Sequence, residues 1–254
     1  MSFIAIIPAR TASTRLPDKP LADIAGKPMV VRTADRAAQS RASQIFIATD
    51  DARVQQAAQS HGLRALMTRG EHPTGTDRLA EAVEQLGLPD DAIVVNVQGD
   101  EPLIEPELID AVAAKLQAYP QADIATCACP LADAEALFNP NVVKLVCAAD
   151  DRALYFSRAP IPWARDALAG GERVLAQGLP AWHHIGLYAY RASFLRRFPT
   201  LPQGALERFE SLEQLRAMEH GHVIVVHRAS TPPAGGVDTP ADLERVRLIY
   251  SNQI

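Results

Sequence analysis

Three short apolar runs, at residues 3–7, 44–48 and 92–97, constrain the first half of the chain most. Each is shorter than a buried helix needs, ends in a polar loop, and leads into residues at helical spacing. The clearest is Ala92-Ile93-Val94-Val95-Asn96-Val97. Continuous apolar runs of this kind belong to strands buried on both faces of a parallel sheet. Between them Met29, Val30, Thr33, Ala34 and Ala37 form a helical row over 28–40. A second helix is predicted over 52–61, stopped at Gly62, and a third runs from Thr76 through Leu79, Val83 and Leu86 to Gly87. A helix over 106–116 and strands at 63–67 and 123–129 complete the alternation. This pattern predicts an α/β fold with a doubly wound, mostly parallel sheet.

The second half changes character. Residues 142–148 and 153–157 flank Ala149-Asp150-Asp151-Arg152 as a hairpin. Strands are predicted at 185–190 and 223–226. Leu206, Phe209, Leu212, Leu215 and Met218 form one helical row, which would leave Glu207, Glu210, Glu213 and Gln214 on a solvated face. Thr239, Pro240 and Asp242 form a capping-box start for a last helix to about Tyr250.

Composition narrows the function. With 254 residues the chain makes one large domain or two small ones, and 48% hydrophobic with 22% charged residues is ordinary globular usage. The net charge of −5 is the wrong sign for a protein living on bulk nucleic acid, although a local cation cluster can still hold a small anion. No apolar run reaches about 18 residues, so no membrane helix is expected. The first ten residues read as a strand rather than a signal segment. Three cysteines, an odd number, fit a reducing compartment.

In open α/β sheets ligands bind beyond the carboxyl ends of the strands. The loop after the first strand carries Arg10, Arg15 and Lys19, with Ser13 and Thr14 between them and Pro17 and Pro20 stiffening it. Such a loop suits a polyphosphate, through guanidinium forks and hydroxyl donors; the alternative is a solvated basic loop. After the strongest strand comes Gln98-Gly99-Asp100-Glu101-Pro102, and before the last helix comes Gly235-Gly236-Val237-Asp238-Thr239. Asp100 and Asp238 together suit Mg²⁺, which takes one or two carboxylates plus phosphate oxygens; a capping role for each is the alternative. Arg158, between a strand and a proline-rich turn, is a candidate anion anchor. Cys127 and Cys129 share one face of a strand and read as small buried residues. His220, His222 and His227 read as surface residues, and His183 and His184 point to opposite faces of a strand.

As a set these residues resemble the 3-deoxy-manno-octulosonate cytidylyltransferases, the CMP-Kdo synthetases. The resemblance is carried by Ile-Pro-Ala-Arg-x-Ala-Ser-Thr-Arg-Leu-Pro-x-Lys-Pro-Leu (7–21), Gly75-Thr76-Asp77-Arg78 and Val95-Asn96-Val97-Gln98-Gly99-Asp100-Glu101-Pro102. Phe138-Asn139-Pro140-Asn141, Tyr155-Phe156-Ser157-Arg158-Ala159-x-Ile161-Pro162-Trp163, Leu212-Glu213-Gln214-Leu215-Arg216 and Gly236-Val237-Asp238-Thr239-Pro240 extend it over essentially the whole chain. It implies a Rossmann-like fold of the nucleotide-diphospho-sugar transferase type, a single domain with a sugar-binding and dimerisation subdomain inserted at about 130–190. It implies a cytoplasmic homodimer that joins CTP to Kdo, giving CMP-Kdo and diphosphate for lipopolysaccharide biosynthesis. A related acid, 8-amino-Kdo or sialic acid, is the alternative substrate.

By motif position the resemblance places Ala9, Arg10, Ser13, Lys19, Thr76, Arg78 and Gln98 around CTP. It puts Mg²⁺ on Asp100 and Asp238, and Arg15, Gln98, Arg158, His184, Tyr188, Glu213 and Gln214 around the sugar acid. Arg10, Arg15, Lys19, Asp100 and Asp238 form the catalytic set. The general base stays open between Asp100, His184 and hydroxide on the metal. Thr11 stands where an aromatic residue is common, Asp18 where glycine is common, and His183 where arginine is common.

Overall fold

The computed structural model describes residues 2–11 and 16–252. In chain order its elements are β1 (Ile4–Ala9), β2 (Asp23–Ile24), β3 (Lys27–Pro28), α1 (Met29–Ala37), β4 (Gln44–Thr49), α2 (Ala52–Ser60), β5 (Arg64–Met67), α3 (Gly75–Gln85), β6 (Ile93–Asn96) and α4 (Pro106–Ala118). They continue as β7 (Ile124–Pro130), α5 (Ala134–Phe138), β8 (Lys144–Cys147), β9 (Ala153–Ser157), β10 (Trp182–Arg191), α6 (Ala192–Arg197), α7 (Ala205–Glu210), α8 (Gln214–Glu219), β11 (Ile224–Arg228) and α9 (Pro240–Ser251). The chain divides into two compact units. One comprises residues 1–114, 187–199 and 233–254, the other residues 115–186 and 200–232.

The first unit is built on β1. Its apolar residues Ala5, Ile6 and Ile7 are fully buried, as a strand covered on both faces requires. β1 pairs in parallel with β4 on one edge and with β6 on the other. β4 pairs in parallel with β5, and β6 pairs antiparallel with residues 188–191 of β10. The chain therefore steps outward from β1 through β4 to β5, then returns to the opposite edge of β1 with β6. Such a reversal leaves a crevice at the strands' carboxyl ends.

Close backbone approach shapes that crevice. Val97 N–H donates to the Ile6 carbonyl at 3.1 Å. The next loop presses so near β1 that a Cβ on Gly99 would lie 2.8 Å from the Pro8 carbonyl oxygen. α9 fixes the other side. The expected capping box is present: Thr239 Oγ1 accepts from Asp242 N–H, and the Asp242 carboxylate accepts from Thr239 N–H. Val237, Leu243 and Val246 pack with Ile24 and Met29, and the Tyr250 hydroxyl donates to the Pro102 carbonyl at 2.6 Å.

In the second unit β7 and β11 pair in parallel, and β8 pairs antiparallel with β9 and with the start of β10. The 142–148/153–157 hairpin is thus present as β8 and β9. Cys127 and Cys129 are buried thiols on β7. The single helix expected over 206–218 is two helices. Ser211 adopts a left-handed conformation, φ 51°, between α7 and α8. The physical reason is a capping guanidinium: Arg158 Nε donates to the Glu210 carbonyl at 2.6 Å and Nη2 to the Ser211 carbonyl at 3.3 Å. These take up carbonyls that a continuing helix would have used.

The solvated face expected on that helix is also corrected. Glu207 is buried and holds Arg216 through two bonds of 2.6 and 2.7 Å, Gln214 is buried, and it is Phe209 that lies 90% exposed. His222, expected at the surface, has a buried side chain whose Nδ1 lies 2.9 Å from an Asp123 oxygen. β1 also runs through Pro8 to Ala9, two residues beyond its expected end at Ile7.

Gly99→Ala should cost about 1–3 kcal/mol, the usual range for forcing extra volume into a packed site. Urea unfolding measures it; a loss below about 0.5 kcal/mol would show that the Gly99–Pro8 approach can relax freely.

Candidate active site

The crevice beyond β1 and β6 holds a cavity of about 540 Å³. Of the residues expected at the nucleotide, Ala9, Arg10, Lys19, Arg78 and Gln98 line it, and so do Asp100 and Asp238, expected at the metal. Ser13 and Arg15 lie outside the described residues. Thr76 is buried in the first turn of α3 and is not among the lining residues, whereas Thr74 and Gly75 are.

Each lining side chain is set by local chemistry. Lys19 opens a 3₁₀ turn, preceded by Asp18 in the left-handed region at φ 51°. That conformation explains why glycine is common there, and Asp is among the few other residues that adopt it readily. The Asp18 carboxylate accepts from both Arg53 Nη atoms, at 2.8 and 3.2 Å, so its charge is paired. Thr74 caps α3 by accepting from Asp77 N–H at 3.2 Å. Arg78, on α3, is buried; Nη2 donates to Asp50 at 3.1 Å and Nη1 to the Thr68 hydroxyl.

Lys19 Nζ lies 2.5 Å from Asp100 Oδ2 and 3.0 Å from Asp238 Oδ1. Burial pulls the Lys19 pKa down, and the two carboxylates more than reverse this, leaving it raised. Asp100 is held by its own backbone, whose carbonyl accepts from Val237 N–H at 2.8 Å. A Cβ on Gly236 would lie 3.2 Å from that carbonyl oxygen, so the two aspartates sit on segments in close backbone register.

Among the described residues no group of three or more His, Cys, Asp or Glu could hold a metal ion. Two convergent carboxylates are nevertheless a donor set that suits Mg²⁺, and both reach one point, now taken by the Lys19 ammonium. The residues therefore fit the ion. Glu101, beside Asp100, has its carboxyl pushed up to about 7 by burial and then by the Asp100 charge.

The residues expected around the sugar acid divide between the units. Gln98 lines the first unit's cavity. Tyr188 lies in the same unit, opposite Asn96 in the β10–β6 register, with its ring stacked 5.6 Å from Tyr190. Arg158, His184, Glu213 and Gln214 belong to the second unit. Besides its two capping bonds, Arg158 donates from Nη1 to the Pro140 carbonyl at 2.9 Å. Three of its five guanidinium N–H groups are thus used, leaving one on each Nη. Gln214 is 8% exposed, and its Nε2 is buried with no hydrogen-bond partner among the described residues.

His184 lies edge-on to Phe156, with Nε2 3.0 Å from the Thr126 hydroxyl oxygen. Burial, then the neighbouring His183, lowers its pKa to about 3. His184 is therefore neutral at physiological pH.

The sequence reading missed His72, Thr74, Asp50 and Thr68. His72 lines the cavity and pairs with Glu81 on α3. Its position before the Thr74 cap is the signal that could have drawn attention to it. Asp50 and Thr68 carry no such local signal, since they matter only through Arg78.

The cytidylyltransferase family model matches residues 4–224. A solved structure of CMP:2-keto-3-deoxy-manno-octonic acid synthetase complexed with CTP is 40% identical, with a TM-score of 0.88 and full coverage of both chains. A cytidylyltransferase from Leptospira borgpetersenii shares the fold at 15% identity and TM-score 0.61, over 99% of this chain and 88% of its own. The chain belongs to the cytidylyltransferases and, within them, to the 3-deoxy-manno-octulosonate cytidylyltransferase family.

The lowered His184 pKa has a signed consequence. The folded state refuses a proton that the unfolded chain accepts near 6.5, so stability is full above pH 6.5 and falls as pH drops toward 3. By pH 4.5 the loss from this residue is on the order of 2 kcal/mol. Urea midpoints at pH 7 and 4.5 should differ less in His184→Asn than in the wild type; equal drops in both proteins would discard this origin.

Proposed function

We propose that this chain transfers the CMP group of CTP to 3-deoxy-manno-octulosonate, giving CMP-Kdo and diphosphate. The observation that carries the reading is the full-length, 40% identical likeness to a CMP-Kdo synthetase complexed with CTP. The cavity adds chemical sense to it: cations for a triphosphate and two carboxylates for a divalent ion meet at one strand-end crevice. The reaction would serve lipopolysaccharide assembly in the cytoplasm, from a homodimer. No helix among the described residues is long and apolar enough to cross a membrane.

Arg10, Lys19 and the expected Ser13 and Arg15 bind and orient the triphosphate. Their positive charge offsets the negative charge that builds on the departing diphosphate. Arg78 is pre-set for the nucleoside end by Asp50 and Thr68. Mg²⁺ would be held by Asp100 and Asp238; bound there, it supplies Lewis-acid polarisation and charge neutralisation at phosphate oxygens.

On the sugar side, Arg158 keeps one N–H on each Nη, the number a bidentate carboxylate contact needs. Tyr188, Glu213, Gln98 and Gln214 would hold the hydroxyls. His184, with its conjugate acid near 3, is a poor proton acceptor at neutral pH. It orients the sugar as a neutral ring, and the proton of the attacking hydroxyl leaves to Asp100 or to solvent. The anomeric hydroxyl attacks the α-phosphate in line, and the protein contributes positioning and charge.

Diphosphate release tests this directly. It should require CTP, Mg²⁺ and Kdo together and stop on chelation, with UTP, ATP, 8-amino-Kdo and N-acetylneuraminic acid as comparison substrates. Preference for one of the other acids would move the error to the residues expected around the sugar acid. Asp238→Asn should lower turnover by at least about 100-fold with little change in melting temperature. Near-normal turnover in that variant would remove Asp238 from the metal site.

A further inference from the structure

Lys144, on β8, is fully buried. Its ammonium donates to three backbone carbonyls: Asn139 at 2.8 Å, Val142 at 2.7 Å and Arg158 at 2.6 Å. An ammonium has three N–H donors, and all are spent. Burying a charge is costly, and an apolar side chain of similar volume often serves stability as well or better. What the ammonium alone can do is draw three carbonyls to one point. Two belong to the 139–142 loop, and the third is that of Arg158.

Arg158 is tied to the same loop a second time, through Nη1 and the Pro140 carbonyl. From the other side Glu210 closes on it. Glu210 Oε2 accepts from Arg158 N–H at 2.9 Å, Oε1 accepts from the Ser157 hydroxyl at 2.6 Å, and the Glu210 carbonyl accepts from Arg158 Nε. Both the backbone and the guanidinium of Arg158 are thus referenced to a frame that Lys144 and Glu210 hold. The two unused N–H groups are left on Nη1 and Nη2.

We propose that Lys144 and Glu210 are positioning residues for Arg158, holding its guanidinium in the one orientation that receives the carboxylate of the sugar acid. This rests on the sugar-acid reading above. The pair touches no substrate and acts through Arg158. Its loss should therefore weaken sugar-acid use without disturbing the nucleotide.

Steady-state kinetics on the full chain test this with Lys144→Met, Glu210→Gln, Arg158→Lys and the two double variants. Lys144→Met and Glu210→Gln should each raise KM for Kdo about tenfold or more, the scale of a lost charged hydrogen bond. KM for CTP should stay within about twofold, well under that scale. In the Arg158→Lys background each should add less than about twofold, because residues that act through one another are not additive. If Arg158→Lys raises KM for Kdo while the other two single variants do not, or if the penalties multiply, the positioning role is overturned. If Arg158→Lys leaves KM for Kdo unchanged, the carboxylate reading of Arg158 fails first and the inference with it. Should Lys144→Met not fold, Glu210→Gln decides the question by the same criteria.

Discussion

β1 is hydrogen-bonded in parallel on both edges, and the rest of the first unit depends on that pairing. A strand flanked by β4 and β6 forces the chain to reverse its winding at β1. The loops that leave β1 and β6 then diverge and leave space between them. The backbone narrows this space from two sides. Gly99 lies against the Pro8 carbonyl, and Val237 N–H donates to Asp100. Ordinary sheet geometry therefore puts the basic loop and both aspartates around one cavity.

A second constraint is the cost of charge away from water. The structure answers it with oxygen atoms from distant segments. Lys19 closes on Asp100 and Asp238, Arg78 on Asp50 and Thr68, Lys144 on three carbonyls, and Arg216 on Glu207. Each arrangement locks the side chains or backbone groups that make it. In the first unit Lys19, Asp100, Asp238 and Arg78 line the cavity beyond β1 and β6. In the second, Lys144 holds the Arg158 carbonyl, and the Arg158 guanidinium ends α7.

Much of this was legible because it is local. Strands 44–48 and 92–97 declare themselves through burial pattern, and the Thr239 capping box through three neighbouring residues. Asp100 and Asp238 stand out because each directly follows or precedes such an element. The Leu206–Met218 row misled because periodicity records which positions are apolar, not whether the backbone continues. The break at Ser211 is made by an arginine more than fifty residues earlier in the chain. Glu207, Glu210 and Gln214 read as solvated for the same reason, and so did His222, whose partner Asp123 is 99 residues away.

By itself, then, the sequence determined the strand-and-helix alternation, the basic loop, the two aspartates and the family. These follow from short-range spacing and from motifs whose residues are neighbours in the chain. Only the tertiary structure decided that Lys19 bridges aspartates 81 and 219 residues away. It alone set Arg78 against Asp50, left His184 neutral, and wrapped Lys144 in carbonyls. Desolvation and charge pairing act through space, and no local pattern records which distant groups will share a buried point.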